Sequence, residues 1–207
     1  MAAQERAVRT RTALIESAAE LFHRDGFEMA SLTTISARAG VSNGALHFHF
    51  SNKAALADAV REVAVQRLRE ITTRESENAL QTLIDATHAL SRALSKDAVL
   101  RAGFDLRRFL ERTRGGDDLR RLWQHWVEGV LVRADDEGSL AGDVTAQDVS
   151  DTIVSATVGF ELLSRGDPHW LSNSTLTRFW ELLLPRLAEG AVHGPLVAAG
   201  STGAGVE

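Results

Sequence analysis

Asn43, Gly44, Ala45, His47 and His49 lie close together and recur at outward positions of a short apolar period. An amide and two imidazoles can bond to base edges and phosphates, while glycine and alanine allow a helix to approach a nucleic acid closely. This is recognition chemistry, in which no covalent bond is made or broken. It requires a rigid scaffold that presents one helix face and buries the other.

The flanking residues describe such a scaffold. Ser31 is placed to cap a helix from about Leu32, because its hydroxyl can accept from a free amide of the first turn. Leu32, Ile35 and Ala39 share an apolar face. Gly40 supplies the left-handed backbone that closes this helix, and Val41 plugs the gap before the next. Ser42 starts a second helix whose Leu46 and Phe50 face inward, so Ser31 to Leu56 reads as a helix-turn-helix. Apolar residues Ala13, Leu14, Ala18, Leu21 and Phe22 predict a supporting helix over Arg9 to Arg24, stopped by Asp25 and Gly26. Arg6, Arg9 and Arg11 precede or open it. They suit either a basic arm reaching phosphates or the minor groove, or a solvated helix start.

Other chemistries find little support. The chain has no cysteine, which excludes disulfides and thiolate metal sites. Its seven histidines are scattered. His47 and His49 diverge by roughly 200° on a helix and cannot share an ion, so neither a metal nor another cofactor is expected. No phosphate loop, dinucleotide fingerprint or nucleophile elbow is present, and the acidic pairs are sequence neighbours and not converging carboxylates, so no enzyme is expected. The N-terminus lacks a cleavable apolar signal, and no stretch is long enough to span a membrane, so a cytoplasmic location is expected.

At 207 residues the chain can bury a full core, and its net charge is −5. Residues 1–53 hold six Arg or Lys against five Asp or Glu, leaving +1, whereas the remainder is −6. The asymmetry favours contact with few phosphates per subunit. Beyond Lys53, helical spacing predicts a linking helix over Ala54 to Ile71, then helices over Ala79 to Leu94, Val99 to Arg112, Leu119 to Glu137, Asp148 to Leu163 and Leu176 to Ala188. Small residues Ser155, Ala156 and Gly159 suit close helix packing, either between two copies or within a buried hairpin. From Val192 onward the absence of periodicity predicts a mobile tail.

Thr33, Ile35, Ala39, Gly40, Val41, Ser42, Gly44, Phe48, His49, Phe50 and Lys53 together resemble the DNA-binding domain of the TetR family of one-component repressors. Within that family, GALHFHF and the segment Val99 to Arg108 resemble the gamma-butyrolactone receptor-type or pseudo-receptor regulators of antibiotic production. The resemblance implies an all-α fold, with an N-terminal three-helix head over 1–53, a larger ligand-binding and dimerisation domain over 54–190, and a flexible tail over 191–207. It implies a homodimer that binds a palindromic double-stranded DNA operator and is released by a small apolar effector, butyrolactone-like or antibiotic-like. A DNA-binding regulator without a ligand, or an activator, is the alternative.

On this resemblance Thr33, Ser42, Asn43, Gly44, Ala45, His47, Phe48, His49 and Lys53 are the expected DNA-binding residues. The expected ligand-binding residues are Trp126, Trp123, Phe104, Phe160, Val99 and Val130, with Phe109 nearby. Trp126 resembles the ligand-contacting tryptophan of the receptors, and its indole N–H is expected to serve as a lone polar handle. Departures occur where receptors offer a glutamine and a threonine to the ligand, here Ala64 and Phe160, and where the family has tyrosine and often lysine, here His47 and Asn43. They imply a more apolar pocket and a different operator preference.

Overall fold

A computed structural model of the chain describes residues 2–106, 118–188 and 195–201. These contain nine α-helices and no strand: α1 (Ala2–Asp25), α2 (Leu32–Arg38), α3 (Asn43–His49), α4 (Lys53–Thr72), α5 (Ala79–Lys96), α6 (Ala98–Asp105), α7 (Leu119–Asp136), α8 (Ala146–Leu163) and α9 (Asn173–Leu187), with a 3-10 turn at Pro168–Leu171. The all-α reading holds. The chain divides into two compact units, residues 1–67 with 97–119, and residues 68–96 with 120–207.

The first unit is built on α1, which buries Leu14, Ile15, Ala18, Ala19, Leu21 and Phe22. It begins at Ala2 and not near Arg9, so Arg6, Arg9 and Arg11 stand exposed on a helix surface and not in an extended arm. Ile35 of α2, Leu46 of α3 and Phe50 complete the small core beneath the helix-turn-helix. The unit also includes α6, which packs along α1 although some seventy residues separate them in sequence. Asp97 caps α6 by accepting from the amides of Val99 and Leu100, at 2.9 and 3.1 Å, and pairs with Arg67 of α4. At the other end of α6, Asp105 holds His23 of α1 at 2.8 Å. Between them Gly103 lies against Ala64 so closely that a Cβ there would stand 2.4 Å from the alanine methyl. The sequence division at residue 53 therefore does not coincide with the packing, which continues to Arg67 and includes α6. Residues 107–112 of the expected Val99 to Arg112 helix, including Phe109, lie outside the described residues.

The second unit buries one side of α5, including Leu80, Leu83, Ile84, Leu90 and Leu94. Several of its buried polar groups are paired between elements. Trp180 of α9 donates to Thr87 Oγ1 at 2.8 Å, and Ser91 donates to the Leu171 carbonyl at 2.7 Å. Trp123 of α7 donates to Thr157 of α8 at 2.9 Å.

Residues 195–201 depart from the expected mobile tail, because three α5 side chains hold their backbone. Gln81 accepts from the Val197 amide at 2.8 Å, and Asp85 accepts from that of Ser201 at 2.7 Å. His88 Nε2 lies 2.9 Å from the Ala198 carbonyl. Gly200 has φ +81°, and a Cβ there would come within 3.3 Å of the His88 ring. Local sequence pattern carries no trace of such docking, since the partners are 110 residues or more away.

Candidate functional site

The presented helix is α3, and local bonds set its entry and exit. Ser31 Oγ accepts from the Thr34 amide at 3.1 Å, starting α2. Gly40 follows with φ +68°, a conformation costly for any residue with a Cβ, and the Val41 amide returns to the Ser36 carbonyl at 3.0 Å. Ser42 Oγ then accepts from the Ala45 amide at 3.1 Å, so Ser42 itself serves first as the cap of α3. Leu46 is fully buried and Phe50 nearly so, which fixes the rotation of the helix.

That rotation turns Asn43, Gly44, His47 and Phe48 to solvent and leaves Ala45 and His49 half-buried, while Thr33 is exposed on α2. The Phe48 ring is 83% exposed and meets the His49 imidazole edge-on, with centroids 5.2 Å apart. Arg11 places its guanidinium 5.4 Å from the centre of the Phe50 ring. From Met29 to Ala57 the chain has no Asp or Glu, so no carboxylate of this segment opposes an approaching polyanion. Sequence reasoning weighed only the charge of the whole head and missed this acid-free stretch, which is readable directly from the residues.

Lys53 differs from expectation. Its ammonium donates to the carbonyls of Phe27, Glu28 and Ala30 at 2.9, 3.0 and 3.0 Å and lies 4.5 Å from the centre of the Phe27 ring. All three N–H donors are thus engaged within the protein, and Lys53 acts by holding the loop between α1 and α2. A phosphate contact would require it to release these carbonyls.

The expected ligand residues fall into two sets. Val99 and Phe104 are buried on α6 in the first unit, whereas Trp123, Trp126, Val130 and Phe160 belong to the second. Trp123 and Trp126 stack at 5.1 Å, with Trp123 only 1% exposed and Trp126 half-buried. The Trp126 N–H is not a free handle, because it donates to the Thr72 carbonyl at 3.0 Å. Phe160 stacks on Trp170 at 6.2 Å and meets Phe179 edge-on at 5.6 Å. Ala64 is fully buried beneath Gly103. Sequence reasoning also missed Glu161, a buried carboxylate bonded to Arg120 at 2.7 Å and Arg165 at 3.1 Å. Among the described residues no helix is long and apolar enough to cross a membrane.

This geometry can insert one helix face into a groove, and known proteins share it. Residues 14–60 match the model for bacterial regulatory proteins of the tetR family. The A-factor receptor protein of Streptomyces griseus is 28% identical over 199 residues, covering 93% of this chain and 68% of the relative. A crystal structure of a gamma-butyrolactone receptor, an ArpA-like protein, superposes with a TM-score of 0.80 at 27% identity, covering 94% of this chain and 96% of that one. CprB from Streptomyces coelicolor, solved in complex with its biological operator sequence, superposes with a TM-score of 0.74 at 29% identity, covering 89% and 90%.

Proposed function

We propose, for a chain that belongs with the tetR family of bacterial regulators through residues 14–60, that it is a homodimeric, cytoplasmic transcriptional repressor released from its operator by a small apolar effector. The observation that carries this reading is the acid-free helix-turn-helix with its capped, outward-turned α3. Similarity along nearly the whole chain to a butyrolactone receptor, and to a relative solved on its operator, supports it. Within the first unit residues 1–53 read the DNA, while residues 54–190, which include the part of that unit packed against them, serve as sensor and dimerisation part.

In this reading Asn43 faces base edges, where its amide suits adenine, and His47 and Thr33 donate to phosphates. Each subunit contacts one half of a palindrome, with half-sites about one helical turn or a small multiple apart. Dimerisation uses the outer faces of α8 and α9. Leu162, Leu163 and Leu182 are 47, 49 and 83% exposed there, and a Cβ at Gly159 would meet nothing within 4 Å. Covering this apolar surface with its symmetry mate removes it from water.

The effector contacts the accessible part of the Trp126 ring, which is half-buried and stacked on the buried Trp123, since both indole N–H groups already have partners within the chain. That favours a molecule bulkier or more aromatic than a small lactone. Release requires the effector to prefer the conformation whose heads do not match the half-sites, because equal affinity for both states shifts nothing.

Selection of random duplexes by the purified protein tests the head, with enrichment of a palindrome expected. If no duplex is enriched, the DNA-binding reading fails. Titration with γ-butyrolactones and with polycyclic aromatic antibiotics, followed by tryptophan fluorescence and operator release, tests the sensor. Trp126→Ala is expected to retain operator binding and lose release. Release of that variant at the wild-type effector concentration would remove Trp126 from the sensor.

A further inference from the structure

Phe48 is the large apolar side chain of α3 that burial does not account for. Leu46 in the same helix and Phe50 just after it are buried, whereas Phe48 leaves 83% of its surface in water. It has no donor or acceptor and cannot hold a phosphate. One helical turn earlier on the same face stands Gly44, where a Cβ would find only Ser42 Oγ, at 3.9 Å. The exposed ring and the bare glycine backbone therefore lie one turn apart on the outward face, with open space over the glycine.

The DNA major groove presents one apolar group along its base edges, the C5 methyl of thymine. Deoxyribose is also apolar but lies at the groove margin, and it is unchanged when a thymine loses only its methyl. We propose that Phe48 and Gly44 form a notch that reads a thymine methyl in each half-site, making Phe48 a specificity residue. The inference rests on the DNA-binding reading above and adds the chemistry of one recognised base. Phe48 supplies the apolar wall, and Gly44 supplies the room for the methyl to enter.

The test uses the full-length protein and a palindrome enriched by it, with each thymine pair replaced in turn by deoxyuridine, which lacks only the C5 methyl. Burial of one methyl sets the expected loss at about 4-fold for one half-site and about 15-fold when both are replaced, at one thymine position. Phe48→Ala should bind the thymine operator more weakly and be indifferent to uracil at that position. Gly44→Ala should bind more weakly while its melting temperature stays the same or rises, because the site is open and alanine favours a helix. Misfolding cannot then explain its loss. Wild-type indifference to uracil at every position, or an undiminished uracil penalty in Phe48→Ala, would overturn the proposal and place the ring against sugar. Failure to enrich any duplex would instead sink the underlying DNA-binding reading.

Discussion

Replacing Lys53 by Met keeps most of the aliphatic stem and removes the ammonium, which separates two roles a lysine at this position can have. The structure gives that ammonium three carbonyl acceptors at 2.9 to 3.0 Å and an aromatic face at 4.5 Å. Hydrogen bonds from a charged donor contribute roughly 1.5–3 kcal/mol each, and the ring about 0.5–1. Lys53 is only half-buried, so water can reach the vacated carbonyls and recover much of this. A net destabilisation of about 2–3 kcal/mol remains, concentrated in the α1–α2 loop. Urea denaturation and hydrogen exchange at the first amides of α2 should both record it. Operator affinity should fall on all sequences alike, because the head is less often correctly formed. The slope of log affinity against log salt should not change. If Lys53 instead contacted phosphate, a dimer would lose two contacts and the slope would drop by about 1.8. A slope reduced by that amount, with unchanged stability, would refute the internal role.

Gly103→Ala should destabilise the chain by about 1–3 kcal/mol in urea denaturation, since its methyl would overlap that of Ala64 and force α6 away from α4; a wild-type midpoint would show that the close contact is unimportant. Gly159→Glu should be monomeric by light scattering at low concentration, because a carboxylate would face its symmetry mate in an apolar interface; a persistent dimer would move the interface elsewhere. Acidification should loosen residues 195–201. Burial is the largest influence on His88 and holds it below the ordinary 6.5, with Arg92 adding to this and the Ala198 bond and Asp85 opposing it. For Asp85 burial acts upward, but bonds from Ser201, Gln81 and Ser76 outweigh it and leave it below the usual carboxylate value. Both groups bind a proton less readily in the folded chain, so their stabilisation is full above the unfolded values and is lost as pH falls, for His88 first, below about 6.5. Melting temperatures from about pH 7.5 to 5.5 should decline less in His88→Gln, which keeps a neutral donor; parallel declines would exclude His88.

The helix-turn-helix was legible because everything that defines it is local. Ser31 and Ser42 bond to amides three residues ahead, Gly40 takes the one backbone conformation that a side chain opposes, and Leu46 and Phe50 set the rotation of α3 by their spacing. The same locality gave the helices of the second unit, and the outward position of Asn43, Gly44 and His47 follows from it. Partners across the fold were not legible. Lys53 carries the charge and position of a phosphate ligand in the sequence, and only the path of the loop between α1 and α2 brings three carbonyls within its reach.

The sequence by itself determined which segments are helical and which face of α3 meets the outside, since caps, glycine backbone freedom and apolar period act within a turn or two, although α1 starts seven residues earlier than its apolar period indicated. Tertiary structure alone decided that α6 joins the head through His23 and Asp105, 82 residues apart, that Ala64 lies beneath Gly103, and that the indoles of Trp123 and Trp126 bond to Thr157 and Thr72. It also decided that residues 195–201 are held on α5. The physical reason is that a donor's type fixes what it can bond, whereas the acceptor it finds depends on which distant backbone or side chain packing carries to within about 3 Å.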